Sequence, residues 1–312
     1  MAQGPLNADL PEAVGIAARE GDVDAVRDWL AAGGAPDAKN DGVTLLAIAS
    51  SSSRPSCASV VEILCAAGAR DDDGSGVGFA AMYGAVHTVR VLLRYGAPVN
   101  ATLPNGTTAL HQAVAVNEWG MYIDTWSRAN AQTATSLGHQ GVIRLLLRHG
   151  AAVDARTGNA RLTPLMVAAK FSGFISLGVV RELLSCGADL DLVNGNGRNA
   201  EALARKRLSK EIYTGEGIPE NTQGWRRPGA VEAFLALLAD VRAAGSWKRY
   251  ANEPRVQLIV LRKLAESGRA VATRGVLTRL FAPRRRLQSI GSPLPDVLFW
   301  KILEFWRTDR DP

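Results

Sequence analysis

The sequence predicts an all-α solenoid of five or six helix pairs, followed by a short helical C-terminal module. Three observations carry this. The stretch GHQGVIRLLLRHGAAVDA, residues 138–155, sets Val142, Ile143, Leu145, Leu146 and Leu147 at helical spacing and stops at His149-Gly150, because Gly tolerates the left-handed conformation past a helix end. The same plan recurs at residues 60–69, 85–100 and 179–191. Aromatic residues make up only 6% of a chain that is 47% hydrophobic, which suits helices packed through small side chains better than a barrel or sandwich filled by large ones.

The units follow in order. Helices end near Ala17-Ala18 and run from Val23 to Ala32, before Gly33-Gly34-Ala35. The second unit opens at Asp41-Gly42-Val43-Thr44-Leu45, breaks at a Ser-rich stretch and closes at Gly68. The third starts at Ser75, the fourth at Asn105-Gly106-Thr107-Thr108, the fifth at Leu162-Thr163-Pro164 and the sixth at Gly197-Arg198-Asn199. The sixth completes itself late, with Val231 to Leu238. Gly34, Gly68, Gly96, Gly150 and Gly187, read as closing glycines, lie 34, 28, 54 and 37 residues apart. The short interval implies a clipped turn around Asp71-Asp72-Asp73, and the long one an insertion near 117–137 that carries Trp119 and Trp126. A second insertion is expected near 209–228.

These residues resemble the ankyrin repeat, a unit of a turn and two antiparallel helices, over roughly residues 9–244, after a tail of residues 1–8. Thr108 and Thr163 stand where the first helix is capped, and Pro164 fits its first turn. The resemblance implies that His111 hydrogen-bonds within the turn region and that a protein target is held on the concave side, along turn tips and first-helix faces. The tip candidates are then Lys39, Asn40, Asp41, Leu103, Asn105, Thr157, Asn159, Arg161 and Asn196. Met82, Tyr83, Gln112, Val116, Lys170 and Phe171 are candidates from the helix faces. The Trp119–Trp126 insertion is either a flap over neighbouring units or a contact surface, since Trp and Tyr dominate binding hot spots.

Charge is divided unevenly. Residues 245–312 hold 14 Lys+Arg against 6 Asp+Glu, while the whole chain is +6. Residues 245–290 read as a helical, basic connecting segment. Its Arg284-Arg285-Arg286 run has no interleaved aromatic residues to stack on bases, so nucleic acid is not an expected partner. Residues 291–312 end in a helix that is apolar nearly all round, with only Lys301 and Glu304 charged among 297–306. Such a helix must be buried, in this chain or in another. Leu294-Pro295-Asp296, Leu298 and Ile302-Leu303-Glu304-Phe305 resemble the first half of an F-box, as in the ankyrin-containing PRANC proteins of poxviruses. That resemblance implies that Leu294, Pro295, Leu298, Ile302, Leu303 and Phe305 bind an Skp1-like adaptor of a cullin-type ubiquitin ligase. Read from its residues alone, the same helix is a cap on the array, and both readings stay open.

Catalysis has no constellation to stand on. His87, His111, His139 and His149 each fit a repeat position, with His139 expected at a helix start and His149 at a helix end. Gly74-Ser75-Gly76-Val77-Gly78 lacks the strand and lysine of a phosphate loop, and Asp71-Asp72-Asp73-Gly74 lacks the closing Glu of a calcium loop and reads as a solvated turn. No metal or cofactor is expected. Cys57, Cys65 and Cys186, odd in number and without metal spacing, suggest reduced thiols in the cytoplasm or nucleus. The N-terminus has no signal-peptide pattern, and no apolar run approaches the roughly 18 residues of a membrane span. The sequence therefore points to a non-enzymatic recognition protein, either a receptor that couples its target to a ubiquitin ligase or a scaffold or inhibitor.

Overall fold

The computed structural model describes residues 10–115, 134–158, 160–170, 177–214 and 229–253, with 256 and 259. The protein is mostly helical. Its helices are α1 (Glu12–Glu20), α2 (Val23–Ala31), α3 (Leu45–Ser50), α4 (Pro55–Ala66), α5 (Ser75–Met82), α6 (Val86–Arg94), α7 (Ala109–Val114), α8 (Ala134–Arg148), α9 (Pro164–Lys170), α10 (Leu177–Ser185), α11 (Ala200–Thr214) and α12 (Ala230–Ala244). Two short strands, β1 (Lys39–Asn40) and β2 (Val43–Thr44), pair antiparallel with Lys39 opposite Thr44. Among the described residues no helix is long and apolar enough to cross a membrane.

Local chemistry sets where the helices begin. Thr44 Oγ1 accepts from Ala47 N, Thr163 Oγ1 from Met166 N and Asn199 Oδ1 from Ala202 N, so a short polar side chain takes an orphan amide at the start of α3, α9 and α11. Pro55 opens α4 and Pro164 opens α9, where a missing N–H costs nothing. Gly68, Gly96, Gly150 and Gly187, expected to close pairs, are left-handed, and there is one shift from expectation. Gly33 (φ 93), not Gly34, closes the first pair. Gly34 instead lies against the Trp29 ring, where an added Cβ would fall 2.3 Å from Cε2.

The chain divides into two compact units, residues 1–238 and 239–312. In the first, the helices pack in two rows. The row α1, α3, α5, α7, α9 and α11 is made of successive neighbours, and so is the row α2, α4, α6, α8 and α10. One apolar signature recurs in the second row: Val60, Val61 and Leu64 on α4, Val142, Ile143 and Leu146 on α8, and Val179, Val180 and Leu183 on α10 are all buried. Removing each such side chain from water stabilises the fold by about 1.5–3 kcal/mol. Opposite it, Leu45, Leu46, Leu110, Leu165 and Met166 fill the first row, with Ala47, Ala49, Ala80, Ala81, Ala113, Ala168 and Ala169 buried between them. Small residues thus allow the close helix approach that the low aromatic content suggests. In the second unit Val241 is buried, and the Trp247 and Tyr250 rings meet with centroids 5.5 Å apart.

Polar side chains lock successive pairs together. Cys57 Sγ–H on α4 donates to Arg19 O at the end of α1, at 3.4 Å. The equivalent position on α8 is His139, whose Nε2 reaches Met82 O at the end of α5, at 2.9 Å. His139 is therefore inside α8 and buried, and it does not stand at a helix start as its sequence position suggests. Arg144 Nε on α8 donates to Glu182 Oε1 on α10 at 2.7 Å. Helix α8 begins at Ala134 and α11 runs to Thr214, so helix occupies the edges of both segments expected as insertions.

A candidate partner-binding surface

The turns between pairs project as tips with related backbone geometry. In β1–β2 the tip is a two-residue turn, with Asp41 (φ 48) and Gly42 (φ 80) both left-handed. At residues 103–107, Gly106 N donates to Leu103 O at 2.7 Å and Leu103 N to Thr107 O at 2.8 Å. Residues 194–198 repeat this, with Gly197 N to Asn194 O at 3.0 Å and Asn194 N to Arg198 O at 2.9 Å. Residues 157–162 form a tip one residue longer, closed by Thr157 N to Leu162 O at 2.9 Å, and Arg161 there takes a left-handed φ of 48.

Side chains behind the tips hold neighbouring pairs in register. Asp37 Oδ1 accepts from Arg70 N, 33 residues on, at 3.2 Å. Asn100 Oδ1 accepts from Ala152 N at 2.8 Å, 52 residues on, while its Nδ2 donates to Gly150 O at 3.0 Å. Asp154 Oδ1 accepts from Asp189 N, 35 residues on, at 3.2 Å. Burial raises the Asp154 pKa, and the bond from Asp189 N opposes that rise. The tips also meet directly: Gly195 N donates to Ala160 O at 3.1 Å, and a Cβ added at Gly106 would lie 2.4 Å from Gly158 N. Tips 103–107, 157–162 and 194–198 are thus joined into one continuous ridge.

His111 anchors the ridge from beneath. Its ring is buried, Thr108 N donates to Nδ1 at 3.2 Å, and Nε2 lies 2.9 Å from Leu162 O. Since Nδ1 accepts, the proton sits on Nε2 and that nitrogen donates to Leu162 O. Burial lowers the His111 pKa and favours this neutral form.

The turn at residues 71–74 departs from the others. Asp71 is buried, and its two carboxylate oxygens accept from Gly76 N and Val77 N, each at 2.8 Å, at the start of α5. The solvated-turn expectation is corrected at this residue: Asp71 serves as the internal cap of a shortened turn. Burial pushes its pKa up, and the two amides counteract that. For the exposed Asp73 burial acts in the same sense, but Ser75 and the Lys39 ammonium outweigh it and hold its carboxyl below the usual range. Cys65 nearby is pushed up to about 11 by burial and then by Asp71, Asp37 and Glu62, which keeps it a thiol.

Of the residues expected to face a partner, Lys39, Asn40, Asp41, Asn105, Arg161, Lys170 and Asn196 are exposed. Met82, Tyr83 and Leu103 are half-buried, with the Leu103 methyls against Gly78. Gln112 and Thr157 are corrections. Both are buried: Gln112 Nε2 donates to Thr107 Oγ1 at 2.8 Å, and Thr157 Oγ1 accepts from Leu162 N at 2.9 Å. Their polar atoms shape the ridge from within. Val116, Trp119, Trp126, Asn159 and Phe171 lie outside the described residues, as do Leu294, Pro295, Leu298, Ile302, Leu303 and Phe305. Sequence reasoning passed over Arg198, exposed where Thr107 stands in the related tip, and the exposed Val43 and Val193. Aligning the two Asn-Gly turns would have found Arg198.

The family model of the ankyrin repeat matches residues 161–195, from the third tip through α9 and α10 to the fourth tip. No curated protein matches the chain. The ankyrin match suggests a protein–protein interaction module.

Proposed function

We propose that the chain is an ankyrin-type solenoid of five to six units that recognises a protein target, without catalysis, along its tips and first-helix faces. The observation that supports this most is the ridge of tips, whose backbone is fixed by Gly195–Ala160 and by the Asn100 and Asp154 bonds while Asn105, Arg161, Asn196 and Arg198 remain exposed. A surface ordered before binding loses little conformational entropy on association. Leu294, Pro295, Leu298, Ile302, Leu303 and Phe305 would join the bound target to an Skp1-like adaptor, so the protein would act as the substrate receptor of a cullin-type ligase. The near-continuous apolar character of residues 297–306 supports a buried role for that segment, and a cap on the array is the competing use of it. A cytoplasmic or nuclear location follows from this reading and agrees with Cys57, Cys65 and Cys186 being reduced.

Affinity capture with the full chain tests both parts. The wild type is compared with an Asn105→Arg/Arg161→Glu variant and with a Leu298→Asp/Ile302→Asp variant. The first should lose its targets and keep the adaptor, and the second the reverse. Adaptor binding that survives Leu298→Asp/Ile302→Asp refutes the ligase role, and targets retained by the tip variant refute the placement on the ridge.

A further inference from the structure

The sequence contains three Asn-Gly bonds, at residues 105–106, 194–195 and 196–197, and all three lie in the tips of the ridge. An Asn followed by Gly is open to a self-modification. The Gly nitrogen, after losing its proton to solvent hydroxide, bonds to the Asn Cγ. The Cγ–Nδ2 bond breaks and ammonia leaves, giving a succinimide, and water then opens the ring to aspartate or isoaspartate. Gly favours the step because no Cβ blocks the approach.

The structure treats the three sites differently. Asn105 and Asn196 occupy the same place in matching turns, each followed by a left-handed glycine, Gly106 (φ 74) and Gly197 (φ 68), whose N–H donates back across the turn. Their side chains differ. Asn105 Oδ1 is held by Thr107 N at 3.0 Å and Thr107 Oγ1 at 2.6 Å. Asn194 is buried, and its Oδ1 accepts from Asn196 N at 2.9 Å and Arg198 N at 3.0 Å. The Asn196 carboxamide is exposed, and no hydrogen bond holds it among the described residues. Thr107, which anchors Asn105, is replaced in the second turn by Arg198, which has no hydroxyl.

We propose that Asn196 is the preferred deamidation site of this protein, protected neither by burial nor by an anchored carboxamide. This inference does not depend on what the ridge binds. Its consequence falls on the ridge, where a neutral amide becomes a carboxylate beside Arg198, and the isoaspartyl product adds a methylene to the backbone at the turn.

Two hydrogen bonds must break before Asn105 is free to react, so Asn196 should deamidate about tenfold faster than Asn105 in the folded chain. The full chain is incubated at mildly alkaline pH, sampled over weeks and digested, and the mass gain of each Asn-Gly peptide is followed with isoaspartate detection. The same measurement in urea supplies the unfolded reference. Asn196 leading in the folded chain, with the gap closing in urea, supports the proposal. Asn105 matching or overtaking Asn196 when folded overturns it, and so does an equal lead in urea, because local sequence would then set the order. Thr107→Val, checked for helical content, should speed Asn105 several-fold, since it removes one of the two anchors. An unchanged Asn105 rate in that folded variant also overturns the proposal.

Discussion

His111→Ala isolates the buried polar link beneath the ridge. The wild-type ring joins α7 to the far side of a 51-residue separation through Nε2 and Leu162 O, and holds Thr108 N on Nδ1. Truncation leaves both backbone groups without their partner in a buried setting, a loss of about 2–4 kcal/mol at pH 7.5. The pH dependence supplies the sharper test. Burial depresses the folded-state pKa of His111 below its unfolded value near 6.5, so the unfolded chain takes up the proton first. The stability that depends on neutral His111 is complete above that unfolded pKa and is lost as pH falls through it, at up to about 1.4 kcal/mol per pH unit until the folded pKa is reached. At pH 5.5 the gap between wild type and variant should therefore be narrower than at pH 7.5, by at most about 1.4 kcal/mol. Urea titrations of both full-length proteins, followed by circular dichroism at pH 7.5, 6.5 and 5.5, measure it. Other titrating groups are common to both proteins and drop out of the difference. A gap that stays constant or widens toward acid would refute a buried, neutral His111 with Nδ1 as acceptor.

Two further substitutions probe the links between pairs. Asn100→Ala removes both bonds to the Gly150–Ala152 segment and should lower the urea midpoint by an amount equivalent to about 1–2 kcal/mol, with faster amide exchange at Ala152 as the local sign. Asp71→Ala removes the acceptor for Gly76 and Val77 at the start of α5 and should cost about 1 kcal/mol in thermal unfolding, whereas Asp72→Ala, at an exposed position, should change stability by less than about 0.5 kcal/mol.

Helix pairs were legible because their signals are local. Thr44, Thr163 and Pro164 sit within one turn of what they cap, and Val142, Ile143 and Leu146 repeat at a fixed period. What was not legible depends on distance. Gly33 and Gly34 look alike in sequence, and only the position of the Trp29 ring separates the left-handed residue from its neighbour. His139 reads as a polar residue near a helix start until Met82 O, 57 residues earlier, is seen against its ring. Gln112 on a helix face and Thr157 at a tip spend their polar atoms inside the fold, whereas Asn105 and Asn196 at the turns stay exposed. Part of the candidate surface could thus be read from turn chemistry, while its continuity, set by Gly195 N on Ala160 O, could not.

The Asn100 side chain has a consequence for how this chain accommodates change. Asp37 and Asp154 reach forward 33 and 35 residues, and Asn100 makes the same kind of link across 52. The junction is thus indifferent to how much polypeptide runs between its two sides. Lengthening the chain between two joined points adds little closure cost, because that cost grows only with the logarithm of the length. The same kind of side-chain-to-backbone seam therefore closes intervals of quite different length.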